Sequence, residues 1–335
     1  MLLAILVACL TGWLSILCLS LYAHRAMAHR SVAFHPAVTH AMRFCLWLTT
    51  GVNIREWVAV HRKHHATVDT PEDPHSPVVH GLARIFFFGL WYYRRAARDP
   101  ETLEKYGKGC PDDWIERHVY ARFPNLCLVL LGAIDLALFD IGPGLVAFAI
   151  QLVWTPIVAA GIINGFGHAI GYRDFDTNDG STNIIPFGLV VSGEELHNNH
   201  HRYPRSAKFS TRAFEFDLGW WVVRAFAAFR LASDLYIYDR KLAHHKVERA
   251  TEKLETLFAK WRDAAEQLRV TSARSLAEKR ARFDLLCAEF KCKAEKVIAR
   301  FDAEARARLL AIREAFEKQM ETLLANAFAV PETAA

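Results

Sequence analysis

Histidines carry the most chemistry in this sequence. His197-Asn198-Asn199-His200-His201 and His61-Arg62-Lys63-His64-His65 both read HxxHH, and His24-Arg25-Ala26-Met27-Ala28-His29 reads HxxxxH. On a helix, positions i, i+3 and i+4 share a face, so each HxxHH is expected to aim three imidazoles the same way. Neutral imidazole is a metal ligand, and nitrogen donors without a thiolate suit iron, copper, zinc or nickel better than magnesium or calcium. Eight imidazoles exceed what one ion can use, which points to a two-metal site. Asn164-Gly-Phe-Gly-His168 adds an asparagine and a ninth imidazole on one helical face. One HxxHH alone would say little; two of them with HxxxxH and NxxxH say much more. His35, His40, His80 and His118 stand alone and read as surface or satisfied core residues.

A zinc hydrolase keeps three protein ligands and an open position, which is fewer donors than are present. A transporter would hold its donors at mid-depth on broken helices. Two irons, each with four or five imidazoles and a position open to dioxygen, fit the count. Such a centre suits chemistry beyond ordinary side chains, such as removing hydrogen from an unactivated C–H bond.

The elements that must position these residues follow from hydropathy. Of 335 residues 52% are hydrophobic, but that average hides two regions. Residues 1–240 hold the long apolar runs and 14 of the 16 histidines, whereas residues 246–328 are charged and nearly free of glycine and proline. A net charge of +5 without a basic patch interleaved with aromatics gives no reason to expect nucleic acid. The seven cysteines form no CxxC pair and read as buried thiols in a reducing compartment.

Spans are expected at residues 1–22, 125–140 and 144–164, the last two forming a hairpin around Asp140–Gly144. A signal peptide is the rival reading of the first, but a ligand motif stands where its cleavage site should be. Arg25 and Arg30 after the first span mark that end as cytoplasmic, and every histidine motif then falls on that side. Asp135, inside the hairpin, is expected to face a partner helix or, more readily, to lie near the outer interface. Residues 35–57 read as one amphipathic surface helix, 67–77 as a loop, and 82–93 as an aromatic interfacial helix ending at Arg94-Arg95. Residues 209–238 read as interfacial or packed on the catalytic region. In the tail, Phe283, Leu286, Phe290, Ala294, Val297 and Phe301 step by three and four, which predicts one or two long amphipathic helices. The expected fold is all-α: an integral membrane protein with a cytoplasmic histidine domain and a helical, coiled-coil-like arm that could join copies of the chain.

The motifs YAHRAMAHR, EWVAVHRKHHATVDTPEDPHSP, INGFGH and GEELHNNHH occur in this order within residues 10–225. In them the sequence resembles the membrane-bound fatty acid desaturases, in particular the delta-9 group that includes stearoyl-CoA desaturases and their bacterial relatives. The resemblance implies a di-iron centre on His24, His29, His61, His64, His65, His168, His197, His200 and His201, with Asn164 holding iron through a water. With O2 and two electrons, such a centre removes hydrogens from adjacent methylenes and leaves a cis double bond. It further implies Trp57 along an acyl tunnel and Arg94-Arg95 at a basic pair that binds substrate. Glu56, Asp69, Asp73, Glu194 and Glu195 are candidates for accepting imidazole N–H bonds. Two departures stand out: a single span precedes the first box where the family has two, and Ala59-Val60 replace an Arg-Asp pair associated with CoA. An acyl chain esterified in phospholipid therefore rivals acyl-CoA. No HPGG haem motif occurs, so electrons would come from a separate donor such as a ferredoxin and its reductase. Alternative readings are a histidine-box hydroxylase, which would yield an alcohol, and a metal carrier or sensor. The place expected for the enzyme is a bacterial inner membrane, with its active site on the cytoplasmic side.

Overall fold

The computed structural model describes residues 1–238, 240–270, 275–299, 301 and 303–328. The chain divides into two compact units, Met1–Tyr238 and Asp239–Ala335. Both are built from helices, and strands occur among the described residues only as two-residue pairs: β1 (Ala33–Phe34) antiparallel to β4 (Ala232–Ser233), and β2 (Phe187–Gly188) parallel to β3 (Phe216–Asp217).

In the first unit, α1 (Leu2–Cys18) runs on into a π-wound stretch, Leu19–Ala28. A hairpin of α7 (Leu126–Phe139) and α8 (Ile141–Thr155) follows the same plan, with α8 continuing into π winding over Pro156–Phe166. Leu2–Ala28 and Ile141–Phe166 are long and apolar enough to cross a membrane, whereas α7 is shorter. Leu2, Leu3, Leu6 and Leu10 point outward from α1, and a hydrocarbon surrounding accommodates them where water would not. Asp135 is buried against α8, where Gln151 donates to it over 3.5 Å. The reason lies at Gly144, where a Cβ would stand 2.7 Å from the Asp135 carbonyl oxygen; its lack of a side chain brings the two helices together and turns Asp135 inward.

The stretch 35–57 forms two helices, not one: α2 (Pro36–Thr50) and α3 (Ile54–Ala66). Gly51 ends α2 at φ +63°, a left-handed stop that suits glycine, and Asn53 caps α3 by accepting from the Glu56 N–H. After the short α4 (Pro77–His80), α5 (Leu82–Ala97) buries Ile85 and Gly89 against the π stretch that follows α8, and exposes Phe87, Phe88 and Trp91. The polar α6 (Pro100–Tyr106) packs on α3, and a short π turn covers Glu116–Tyr120. Beyond the hairpin come a long loop, α9 (His197–Arg202) and α10 (Leu218–Ala228), so helix covers only part of 209–238.

Among the described residues the second unit has three helices, where one or two were expected: α11 (Arg240–Val270), α12 (Leu276–Ile298) and α13 (Ala303–Phe328). Its core joins Phe283, Phe290 and Ala294 of the expected stripe to Leu254, Phe258 and Trp261 of α11, which supplies a third wall. Phe258 stacks on Phe316 at 4.5 Å. Ser275 and Glu278 form a reciprocal cap at the start of α12. Leu254 is fully buried. Leu254→Ala should therefore cost this unit about 2–5 kcal/mol, read as faster amide hydrogen exchange along α12 and α13.

Candidate metal centre

The nine histidines of the four motifs converge into two groups. His24, His29, His61, His65 and His200 form one; His64, His168, His197 and His201 form the other; within each, the candidate ligand atoms lie within 4.8 Å of one another. Nε2 is the inward atom throughout. It separates His24 from His200 by 3.0 Å, His29 from His61 by 2.8 Å, His65 from His200 by 2.9 Å, His168 from His197 by 3.1 Å and His64 from His201 by 3.4 Å.

Winding explains how each motif delivers its rings. Residues five apart on an α-helix are about 140° out of phase. His24 and His29 nevertheless share a face, because the chain is π-wound there and the His29 N–H donates to the His24 carbonyl at 3.1 Å. Each HxxHH divides between the groups and does not aim three rings one way. His61 and His65, i and i+4, are about 40° apart on α3, but the consecutive His64 and His65 are about 100° apart and straddle the seam. The box on α9 is its mirror, with His197 and His201 in the four-ring group and His200 in the five-ring group.

The outward nitrogens fix the tautomers. Nδ1 of His24 lies 2.6 Å from Glu194, that of His64 2.9 Å from Asp73, that of His168 3.2 Å from Asp69 and that of His201 3.2 Å from Asp179. Each of these carboxylates accepts the ring N–H, which leaves a lone pair on the inward Nε2. His64 and His201 thus turn lone pairs on each other, an arrangement that a cation relieves. Burial, reinforced by the neighbouring imidazoles, pushes His29, His61, His65, His197, His200 and His201 well below the usual histidine range, so these six rings stay neutral. Burial also opposes charge on Asp73, yet His64 holds it down to about 2. Nine imidazole nitrogens in two sets, four of them backed by carboxylates, suit a pair of metal ions.

The other expected residues fall differently. The Glu195 carboxylate accepts from the backbone N–H groups of Val190, Val191 and Gly193 and, among the described residues, from no imidazole. Glu56, Trp57, Arg94 and Asn164 line a cavity of about 580 Å3 whose wall also includes His24, His61 and His197, so the cavity reaches both groups. Trp57 stacks on His61 at 4.9 Å. Arg95 is absent from that wall, and its guanidinium lies 5.7 Å over the exposed Trp91 ring.

Several residues had no role assigned from the sequence. Asp179, in an acidic loop, gave no signal beyond its composition. His75, in the DPH triplet, is buried with neither ring nitrogen bonded and lies 4.5 Å from the His64 ring. Two arginines inside the boxes act as clamps. Arg62 donates to the carbonyls of Met27 and Ala28 at 2.7 and 3.0 Å, filling acceptors that the end of the π stretch leaves open. Arg25, fully buried, donates to Asp217 at 3.0 Å and to the carbonyls of Ser192 and Ala207, with Phe209 beneath its guanidinium at 3.8 Å.

Asp179→Ala should weaken metal retention about 10–100-fold by freeing the His201 ring, measured by competition with a chelator; unchanged retention would show that Asp179 does not orient it. Residues 1–210 match the family described as fatty acid desaturase. Delta-9 acyl-lipid desaturase 2 of Arabidopsis thaliana is 30% identical over 223 residues, covering 64% of this chain and 68% of that protein. The sn-1 stearoyl-lipid 9-desaturase of Anabaena variabilis is 30% identical over 242 residues, covering 71% and 84%. Acyl-CoA 5-desaturase AL21 of Anemone leveillei is 28% identical over 240 residues, covering 67% and 71%. With these matches over the region that carries both histidine groups, the chain belongs to the fatty acid desaturase family.

Proposed function

We propose that this fatty acyl desaturase places a cis double bond at the delta-9 position of a saturated acyl chain esterified in a membrane lipid. The observation that carries the reading is the division of nine imidazoles into two groups that both reach one cavity. Iron held by His24, His29, His61, His65 and His200, and by His64, His168, His197 and His201, would supply with O2 the oxidising power to break unactivated C–H bonds. Asn164 shares the cavity wall with His197, where it can hold a water.

The protein's own part is to bind, orient and keep dry. A volume of about 580 Å3 is in the range of small-molecule sites and takes a folded or bent acyl chain. Trp57, held flat by His61, gives the chain a rigid wall at the point where it passes the imidazoles. Two hydrogens leave adjacent methylenes, and two electrons and two protons from outside complete the reduction of O2 to two waters. Those electrons call for a separate donor such as a ferredoxin and its reductase. The esterified substrate is favoured over acyl-CoA for two reasons. Ala59 and Val60 are buried and apolar where a CoA-associated polar pair would stand, and α5 exposes Phe87, Phe88 and Trp91, which suit the headgroup boundary. Arg25 and Arg30 at the end of the first span support the reading that the centre faces the cytoplasm from a bacterial inner membrane.

Fatty-acid methyl ester analysis of a host expressing the chain with a competent donor tests this. Saturated acyl chains should give way to delta-9 cis-monoenes, and His200→Ala should abolish nearly all of the change. Lipids left unaltered by iron-loaded protein would refute the reading, and a hydroxylated product would replace it with the hydroxylase alternative.

A further inference from the structure

Four side chains on the cavity wall carry a buried polar atom with no hydrogen-bond partner among the described residues, Tyr93, Gln151, His75 and His197, and of these Tyr93 alone offers a hydroxyl donor. Tyr93, on α5, lines the cavity, and its hydroxyl is buried without a hydrogen-bond partner. A buried hydroxyl in that state is uncommon and asks what completes it. Burial, with the negative charge of Glu56 adding to it, pushes the Tyr93 phenol upward, so the group stays protonated and able to donate. Glu56 shares the wall and is itself pushed upward by burial. Both belong to elements that also bear on the metal centre: Glu56 precedes His61 by five residues on α3, or about 7.5 Å along the helix axis, and α5 packs against the π stretch that leads to His168.

An acyl chain offers a hydrogen-bond donor only one kind of acceptor, the oxygens at its carbonyl end. We propose that Tyr93 is a positioning residue: its hydroxyl donates to the carbonyl oxygen of the acyl ester and so fixes how many methylenes separate that carbonyl from the imidazole groups. The double bond is then counted from the carboxyl end, because the polar end is gripped and the methyl end only fills apolar space. This role rests on the desaturase reading given above, and no covalent step is assigned to Tyr93.

The test uses full-length protein and two ligands of equal chain length, methyl stearate and 1-methoxyoctadecane, which differ by the carbonyl. Wild-type protein should bind the ester about tenfold more tightly, the usual loss when a buried partner goes unpaired, measured by displacement of a fluorescent fatty-acyl probe. Tyr93→Phe should bind the two alike, keep its metal content and spread the double bond over neighbouring positions. Equal affinity of the wild type for ester and ether overturns the proposal, whatever the variant does. So does a Tyr93→Phe enzyme that keeps the ester preference, or one that keeps a single isomer at unchanged KM. Either failure leaves desaturation itself intact; a wild-type chain that makes no alkene would remove the desaturase reading and this proposal together.

Discussion

Two imidazole lone pairs facing each other across 3.4 Å, as His64 and His201 do, repel. The first unit is organised to hold such groups together in spite of that repulsion. Carboxylates behind the rings pull the N–H protons outward and keep the lone pairs inward. Burial denies His201 the proton that would otherwise relieve that repulsion. The same two devices that make the site uncomfortable when bare make it a strong ligand set.

Holding the rings requires fastening segments far apart in the chain, and arginines within the boxes do it. Arg25 neighbours His24 and ties its helix to residues 192–217, the region that carries α9. Arg62 neighbours His61 and ties α3 to the same π stretch. A buried guanidinium is costly unless its donors are filled, and Arg25 fills them with two carbonyls, Ser20 and Asp217. Ligand and fastener are thus adjacent in sequence, which explains why the boxes are compact. Glu194 couples the two systems, accepting from His24 and from Ser20 while Arg25 lies 3.6 Å away.

The histidine boxes and the long apolar runs were legible because each is a local pattern with a strong periodic or compositional signature. What escaped was decided by winding or by contact. The π turns over Leu19–Ala28 and Pro156–Phe166 have no sequence mark, yet the first determines which face His24 and His29 share. The inward turn of Asp135 depends on a glycine nine residues away on another helix. Asp179 belongs to His201 through a loop closure, and no spacing rule joins residues 22 apart in irregular chain. The tail's apolar stripe was visible on α12, but α11 contributes Leu254, Phe258 and Trp261 amid charged residues, so its share was hidden by low mean hydropathy.

The helix α3 shows why site and fold are hard to separate here. Within thirteen residues it caps itself with Asn53, sends Glu56 and Trp57 into the cavity, divides three histidines between two groups and spends Arg62 on fastening. Its inward residues Val58, Ala59 and Val60 are buried, which leaves little freedom to rotate or slide. A rotation large enough to bring His64 toward the five-ring group would carry His65 out of it, since the two are about 100° apart. The same rotation would swing Trp57 off the line of the cavity. Substrate position and metal position are therefore set by one rigid element, and neither can be tuned by moving α3 without disturbing the other.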